Sequence, residues 1–160
     1  MQTYSVLNNF DGVVLILSGD VPLLRVSTLN KFLDSHIKSK SDVSVLTTQI
    51  DNPTGYGRII RNTDGDFIRI IEEKDATPEI KQIREINGGV YLVNSKLLYS
   101  ALNSVENNNS QGEFYLTDII SILKSQNYNT SAFCLASFDE LHGVNSIDDL
   151  QHAENLYSKL

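Results

Sequence analysis

Residues 13–24 read VVLILSGDVPLL, and no other stretch limits the fold as tightly. Five apolar residues in a row, 13–17, suffice for a short strand buried on both faces, the pattern of a central parallel strand. The character then changes within three residues. Ser18-Gly19-Asp20 sets a carboxylate at the strand end, beside a glycine that permits close approach. Pro22 stops any continuation, because it has no N–H to give to a ladder. Open α/β sheets bind ligands outside the carboxyl ends of their strands, and an aspartate there can hold a divalent cation. The alternative reading of Asp20 is a turn residue that hydrogen-bonds nearby amides.

The rest of the chain reads as one α/β domain, residues 1–160. Residues 1–10 look like the tail of a helix. A helix is predicted over 28–38, capped by Ser27, with Leu29, Phe32, Leu33, His36 and Ile37 as its inward stripe. Residues 43–49 are β-branched and form the next strand, so strand, helix and strand make a right-handed βαβ unit. Residues 59–61 and 67–72 read as a hairpin around the turn-forming cluster 62–66. Residues 83–93 predict a long strand distorted at Asn87-Gly88-Gly89. The expected sheet has a parallel core from 13–17, 43–49 and part of 83–93. Helices are expected at 95–102 and 116–125, a strand at 130–135, and a closing helix capped by Ser146 with Asp149 in the capping-box position.

Charge narrows the partners. A net charge of −7 without a Lys/Arg cluster argues against nucleic acid. An anionic ligand then needs local help from a metal, backbone N–H groups or a few placed cations. The single cysteine, Cys134, rules out an internal disulfide and fits a reducing compartment. It lies in an apolar run and reads as an inert buried thiol. No apolar stretch has transmembrane length and no signal peptide is present, so a cytoplasmic location without membrane contact is expected. His36, His142 and His152 lack ligand spacing and read as surface or satisfied core residues.

Four further segments carry candidate chemistry. In Thr54-Gly55-Tyr56-Gly57-Arg58, two glycines let the backbone approach a ligand while the ring offers a wall, although a tight turn reads the same way. Glu72 closes a strand and is either a solvated end or a grip for hydroxyls. Asn87 offers an amide beside two glycines. Asn145, in Gly143-Val144-Asn145, places a second oxygen ligand before a helix.

The order of these pieces is more informative than any one of them. G-D-V-P-L, N-P-T-G-Y-G-R-I, I-E-E-K-D-A, E-I-N-x-G, Q-G-E-x-Y-L-T-D and G-V-N follow one another from about Val13 to the C-terminus. This succession resembles the bacterial N-acetylglucosamine-1-phosphate uridyltransferases, a branch of the sugar-nucleotide pyrophosphorylases. The resemblance implies a Rossmann-like open mixed sheet of the nucleotide-diphospho-sugar transferase type. It implies catalytic Mg²⁺ on Asp20 and Asn145, and substrate binding by Gly19 beside them. It implies amino-sugar binding by Tyr56, Gly57, Glu72 and Asn87, and a pocket lined by Tyr115 and Thr117.

The departures carry their own expectations. The family's L-A-A-G-x-G-T-R-M loop and Q-x-x-x-x-G-T-x-H-A segment, which take the nucleotide, do not occur in this sequence. The chain is therefore expected to be a truncated domain lacking the N-terminal nucleotide-binding βα units. Ser18 stands where a tyrosine is common, and Gly88, where a threonine is common, is expected to loosen the sugar pocket. The implied reaction joins UTP and N-acetylglucosamine 1-phosphate into UDP-N-acetylglucosamine and pyrophosphate, impaired in this chain. A pyrophosphorylase for another sugar or base, and a non-catalytic remnant that binds sugar phosphate, are the alternatives. Strand edges left unpaired are expected to cause self-association or marginal stability.

Overall fold

A computed structural model describes residues 3–7 and 9–158. Among these residues six strands form one mixed sheet, in the order β4-β3-β5-β2-β6 with β1 paired to β5 off that path. They are β1 (Val13–Ile16), β2 (Val43–Gln49), β3 (Arg58–Arg61), β4 (Phe67–Ile71), β5 (Glu85–Asn94) and β6 (Thr130–Cys134). The helices are α1 (Tyr4–Leu7), α2 (Val26–Lys38), α3 (Ser95–Asn103), α4 (Asp118–Ser125), α5 (Phe138–Leu141) and α6 (Ile147–Tyr157). Among the described residues no helix is long and apolar enough to cross a membrane.

The long strand β5 organises the sheet. One edge of β5 pairs with β2 along its length. The other carries β1 against Tyr91–Asn94 and β3 at Ile86. Side chains alternate across the sheet with the strand period of two. Val43, Val45, Tyr91 and Val93 meet Leu98, Ile119, Ile120 and Leu123 on one face, under α3 and α4. Leu46, Val90 and Leu92 meet Phe32 and Leu141 on the other, under α2 and α5. The register slips between Leu46 and Thr47, opposite the glycines of β5.

The expected parallel core is corrected here. Both β1 and β2 run antiparallel to β5, and among the described residues only β2 with β6 is a parallel pair. β1 and β2 do share a direction, but β5 lies between them. The 13–17 run is not buried on both faces either. Val14 and Ile16 pack on the core, while Val13 and Leu15 remain 38% and 40% exposed. Pairing with a single neighbour leaves an outer strand one open edge and a half-covered outer face.

Three smaller expectations also change. The buried stripe of α2 is Thr28, Phe32 and His36, spaced four apart, and Leu33 and Ile37 turn to solvent one position round the helix. Its N-cap is Arg25 rather than Ser27, and no local side chain caps it. Cys134 is exposed, because it ends an edge strand. The hairpin of β3 and β4, the distorted β5, and Ser146 accepting the Asp149 N–H at 3.1 Å match the sequence reading.

Candidate functional site

Beyond β1 the chain runs through Ser18 and Gly19 to Asp20. The Val144 N–H donates to the Asp20 carbonyl oxygen at 2.8 Å, joining this stretch to the Gly143-Val144-Asn145 segment. A side chain on Gly143 would begin 2.8 Å from Asp20 Oδ2 and 3.3 Å from Asn145 Nδ2. The two side chains therefore crowd the same point, and only glycine leaves them room. Asn145 is held from behind by Asp149, whose carboxylate accepts the Asn145 N–H at 3.1 Å, the Ser146 hydroxyl at 2.8 Å and the His142 ring at 3.1 Å. These three contacts hold the Asp149 carboxyl below its usual range.

The opposite wall comes from the β3 approach and the end of β4. Arg58 is 1% exposed, donates to the Tyr56 carbonyl and pairs with Glu73 at 2.7 Å. It thereby fixes the Gly55-Tyr56-Gly57 turn from below. The Asn87 N–H donates to the Gly57 carbonyl at 2.9 Å. The Tyr56 hydroxyl lies 3.5 Å from His142 Nδ1, and burial pushes its pKa up, with Asp149 and Asp20 adding to the effect. The Glu72 carboxylate folds over Gly57, where a Cβ would meet its oxygens at 3.1 and 3.2 Å. Burial pushes Glu72 up and the Asp118 and Asp75 charges add, while a hydrogen bond from Thr117 works against the rise.

Asn87 sits at the distortion of β5. Its Oδ1 accepts the Gly89 N–H at 3.0 Å, and its amide lies 2.8 Å from the hydroxyl of buried Tyr91. Gly89 adopts φ +70, a left-handed conformation that favours glycine. Gly88 itself lines the cleft. A Cβ there would stand 2.7 Å from the Leu46 carbonyl oxygen and 2.5 Å from Leu141 Cδ1, so backbone and Leu141 already fill that space.

Asp20, Tyr56, Gly57, Glu72, Asn87 and Asn145 line one cleft of about 450 Å³. Tyr115 and Thr117 stand in an adjoining cleft of about 320 Å³ that shares Glu72 and Asn87. Gly19 lies outside both linings and serves as the exposed lead into Asp20. Sequence reading missed Arg58, Tyr91 and Glu140, which touch or brace the site from buried positions. The S-x-x-E spacing of Ser137 and Glu140 was the one legible signal, and both halves of that capping box are present.

Among the described residues no three His, Cys, Asp or Glu side chains gather into a metal cluster. Asp20 and Asn145 are the residues that could hold a divalent cation, since Mg²⁺ takes one or two hard oxygen ligands from protein and completes its shell with water and phosphate.

Residues 1–145 match the nucleotidyl transferase family. The chain belongs to that family. It is 46% identical over 148 residues to the bifunctional protein GlmU of Clostridioides difficile (strain 630), covering 92% of this chain and 32% of that protein. It is 43% identical over 156 residues to the GlmU of Geobacillus thermodenitrificans (strain NG80-2), covering 98% and 34%. The chain thus spans about a third of the length of these relatives. A solved glucose-1-phosphate thymidylyltransferase of Bacillus anthracis superposes with TM-score 0.69 at 20% identity, over 99% of this chain and 61% of that one. The open mixed sheet is accordingly the nucleotidyl transferase fold, with the cleft at the loops that follow β1 and β4.

Proposed function

We propose that this chain forms the sugar- and metal-binding half of a sugar-1-phosphate nucleotidyltransferase site, using N-acetylglucosamine 1-phosphate and UTP. The observation that carries this reading is a single cleft with Asp20 and Asn145 at one end and Gly57, Glu72 and Asn87 at the other. Backbone N–H, carboxylate and amide offer a donor, an acceptor and both to a hydroxylated ring. Asp20 and Asn145 would hold Mg²⁺, which when bound supplies positive charge to offset the phosphates.

The reaction needs no protein nucleophile. An oxygen of the sugar phosphate forms a bond to the α-phosphorus of the triphosphate, the bond to the β-phosphate oxygen breaks, and pyrophosphate leaves with the electron pair. The work of the chain's own residues is positioning. Glu72 and Asn87 fix the sugar, and Tyr56 walls the cleft. Because the sequence holds no Gly-rich basic phosphate loop, transfer by this chain alone should be undetectable. Each preorganised donor lost from such a site costs about 10²–10³ in rate.

Calorimetry with N-acetylglucosamine 1-phosphate, paired with a UTP-dependent pyrophosphate-release assay, tests the reading. Binding by the wild type that is lost in Glu72→Ala, without measurable turnover, is expected. Equal affinity in the two proteins would remove Glu72 from the site, and absence of binding would end the sugar-phosphate reading.

A further inference from the structure

We infer that Glu140 is a positioning residue that holds Asp20 and Asn145 at one point, an inference resting on the reading of that pair as the metal end of the cleft. Glu140 is 5% exposed, and the groups that donate to it are neutral N–H and O–H donors. Oε1 accepts the Thr28 hydroxyl at 2.5 Å and the Arg25 N–H at 3.4 Å. Oε2 accepts the Ser137 N–H at 3.0 Å and its hydroxyl at 3.1 Å.

The two oxygens serve two different segments. Arg25 and Thr28 open α2, directly after the stretch that carries Asp20. Ser137 opens α5, directly before the stretch that carries Asn145. A capping box for α5 needs only the Ser137 side of this arrangement. The Oε1 side reaches across to α2, where Arg25 has no side-chain cap of its own, and places an anion at the N-terminus of a 13-residue helix. Burying a carboxylate costs free energy unless it is fully hydrogen-bonded, and here the bonds that satisfy it are the ones that tie the segments together. The Val144 N–H to Asp20 carbonyl bond joins the same two stretches at one candidate ligand and beside the other.

The test uses Mn²⁺ as the probe and the whole chain as the protein. Its affinity is read by electron paramagnetic resonance, and amide exchange is followed at Val144, whose N–H is bound to Asp20. Glu140→Gln keeps the shape but turns an acceptor into a donor. Thr28→Val removes only the cross-segment hydroxyl, and Thr28→Ser restores it. Glu140→Gln and Thr28→Val should bind Mn²⁺ roughly 10–100-fold more weakly, the usual effect of losing support behind a ligand. Both should exchange faster at Val144 with β2 and β5 unchanged, and Thr28→Ser should behave as wild type. Asp20→Asn should lose Mn²⁺ without altering Val144 exchange. Unchanged affinity and exchange in both variants, or exchange raised equally throughout the sheet, overturns the inference. If Glu140→Gln fails to fold, Thr28→Val decides. A wild type that binds no Mn²⁺ ends the metal reading, and Val144 exchange alone then decides for Glu140.

Discussion

The Thr117 hydroxyl donates to Glu72 Oε1 at 3.1 Å. Thr117 thus acts on the cleft through the carboxylate it holds, and it biases the charge state of that carboxylate. The bond favours the ionised form and opposes the rise caused by burial and by the Asp118 and Asp75 charges. Thr117→Val should therefore raise the Glu72 pKa further, and Asp118→Asn should lower it. Carboxyl carbon shifts of Glu72 followed by NMR against pH check both signs. A Thr117→Val titration that coincides with wild type would show that the hydroxyl does not hold the carboxylate in solution.

Gly88 should resist a side chain. Its neighbours are the Leu46 carbonyl, which is backbone within the sheet, and Leu141, a side chain that can turn. Overpacking a filled site costs about 1–3 kcal/mol, so Gly88→Thr should lower stability by that order. Adding Leu141→Ala should recover only part of the loss, since the carbonyl cannot move away. Denaturant unfolding of the three variants measures this, and a neutral Gly88→Thr would show that the strand shifts easily.

The contrast between Gly88 and Asp20 marks what was legible in the sequence. Asp20, Tyr56, Glu72, Asn87 and Asn145 sit at strand ends or within two residues of a glycine, where a local pattern of glycine and polar residue points to exposure to a ligand. Their convergence in one cleft was expected only through the family resemblance that the order of the motifs carries. Pairing was harder to read. The run 13–17 is as apolar as a central strand, but whether one or two strands flank it depends on β5, far along the chain. Arg58, Tyr91 and Glu140 were missed for the same reason. A charged or phenolic group in an otherwise apolar segment looks solvated until its distant partner, such as Thr28 for Glu140, is known.

His36 gives the chain a dependence on pH that can be separated from the acidic groups. It is 3% exposed, its Nδ1 lies 2.8 Å from Ser44 Oγ, and burial lowers its pKa below 6.5 despite the nearby Asp42 charge. The neutral ring is the folded form. Stability from His36 is therefore present above about pH 6.5, the value of the unfolded chain. It declines as pH falls from there through the lower folded-state value, because the unfolded chain binds the proton first. His36→Gln, which keeps a polar partner for Ser44, should flatten the fall in Tm between pH 7 and about 5. Glu72 titrates with the opposite sign in both proteins and cancels in their difference. Parallel Tm curves for the two proteins across that range would exclude His36 as the source.

The outer edge of β1 should make the chain self-associate. Among the described residues β1 pairs only with β5, so one row of its N–H and C=O groups has no strand partner. Phe10, Val13, Leu15 and Leu17 are all more than a third exposed around it, and residues 12–19 carry no charge to repel a second strand. An uncharged, apolar edge, here four residues long, can template pairing with another chain, and natural sheets commonly place lysine there to prevent it. Leu15→Lys puts that charge at the centre of the edge, on the half-exposed face. Sedimentation velocity should show the wild type moving to dimers or larger species as concentration rises, and the variant remaining a monomer. A wild type that stays monomeric at every concentration would show that the edge is protected in solution. Association that persists in Leu15→Lys would move the interface elsewhere, to a surface that does not include β1.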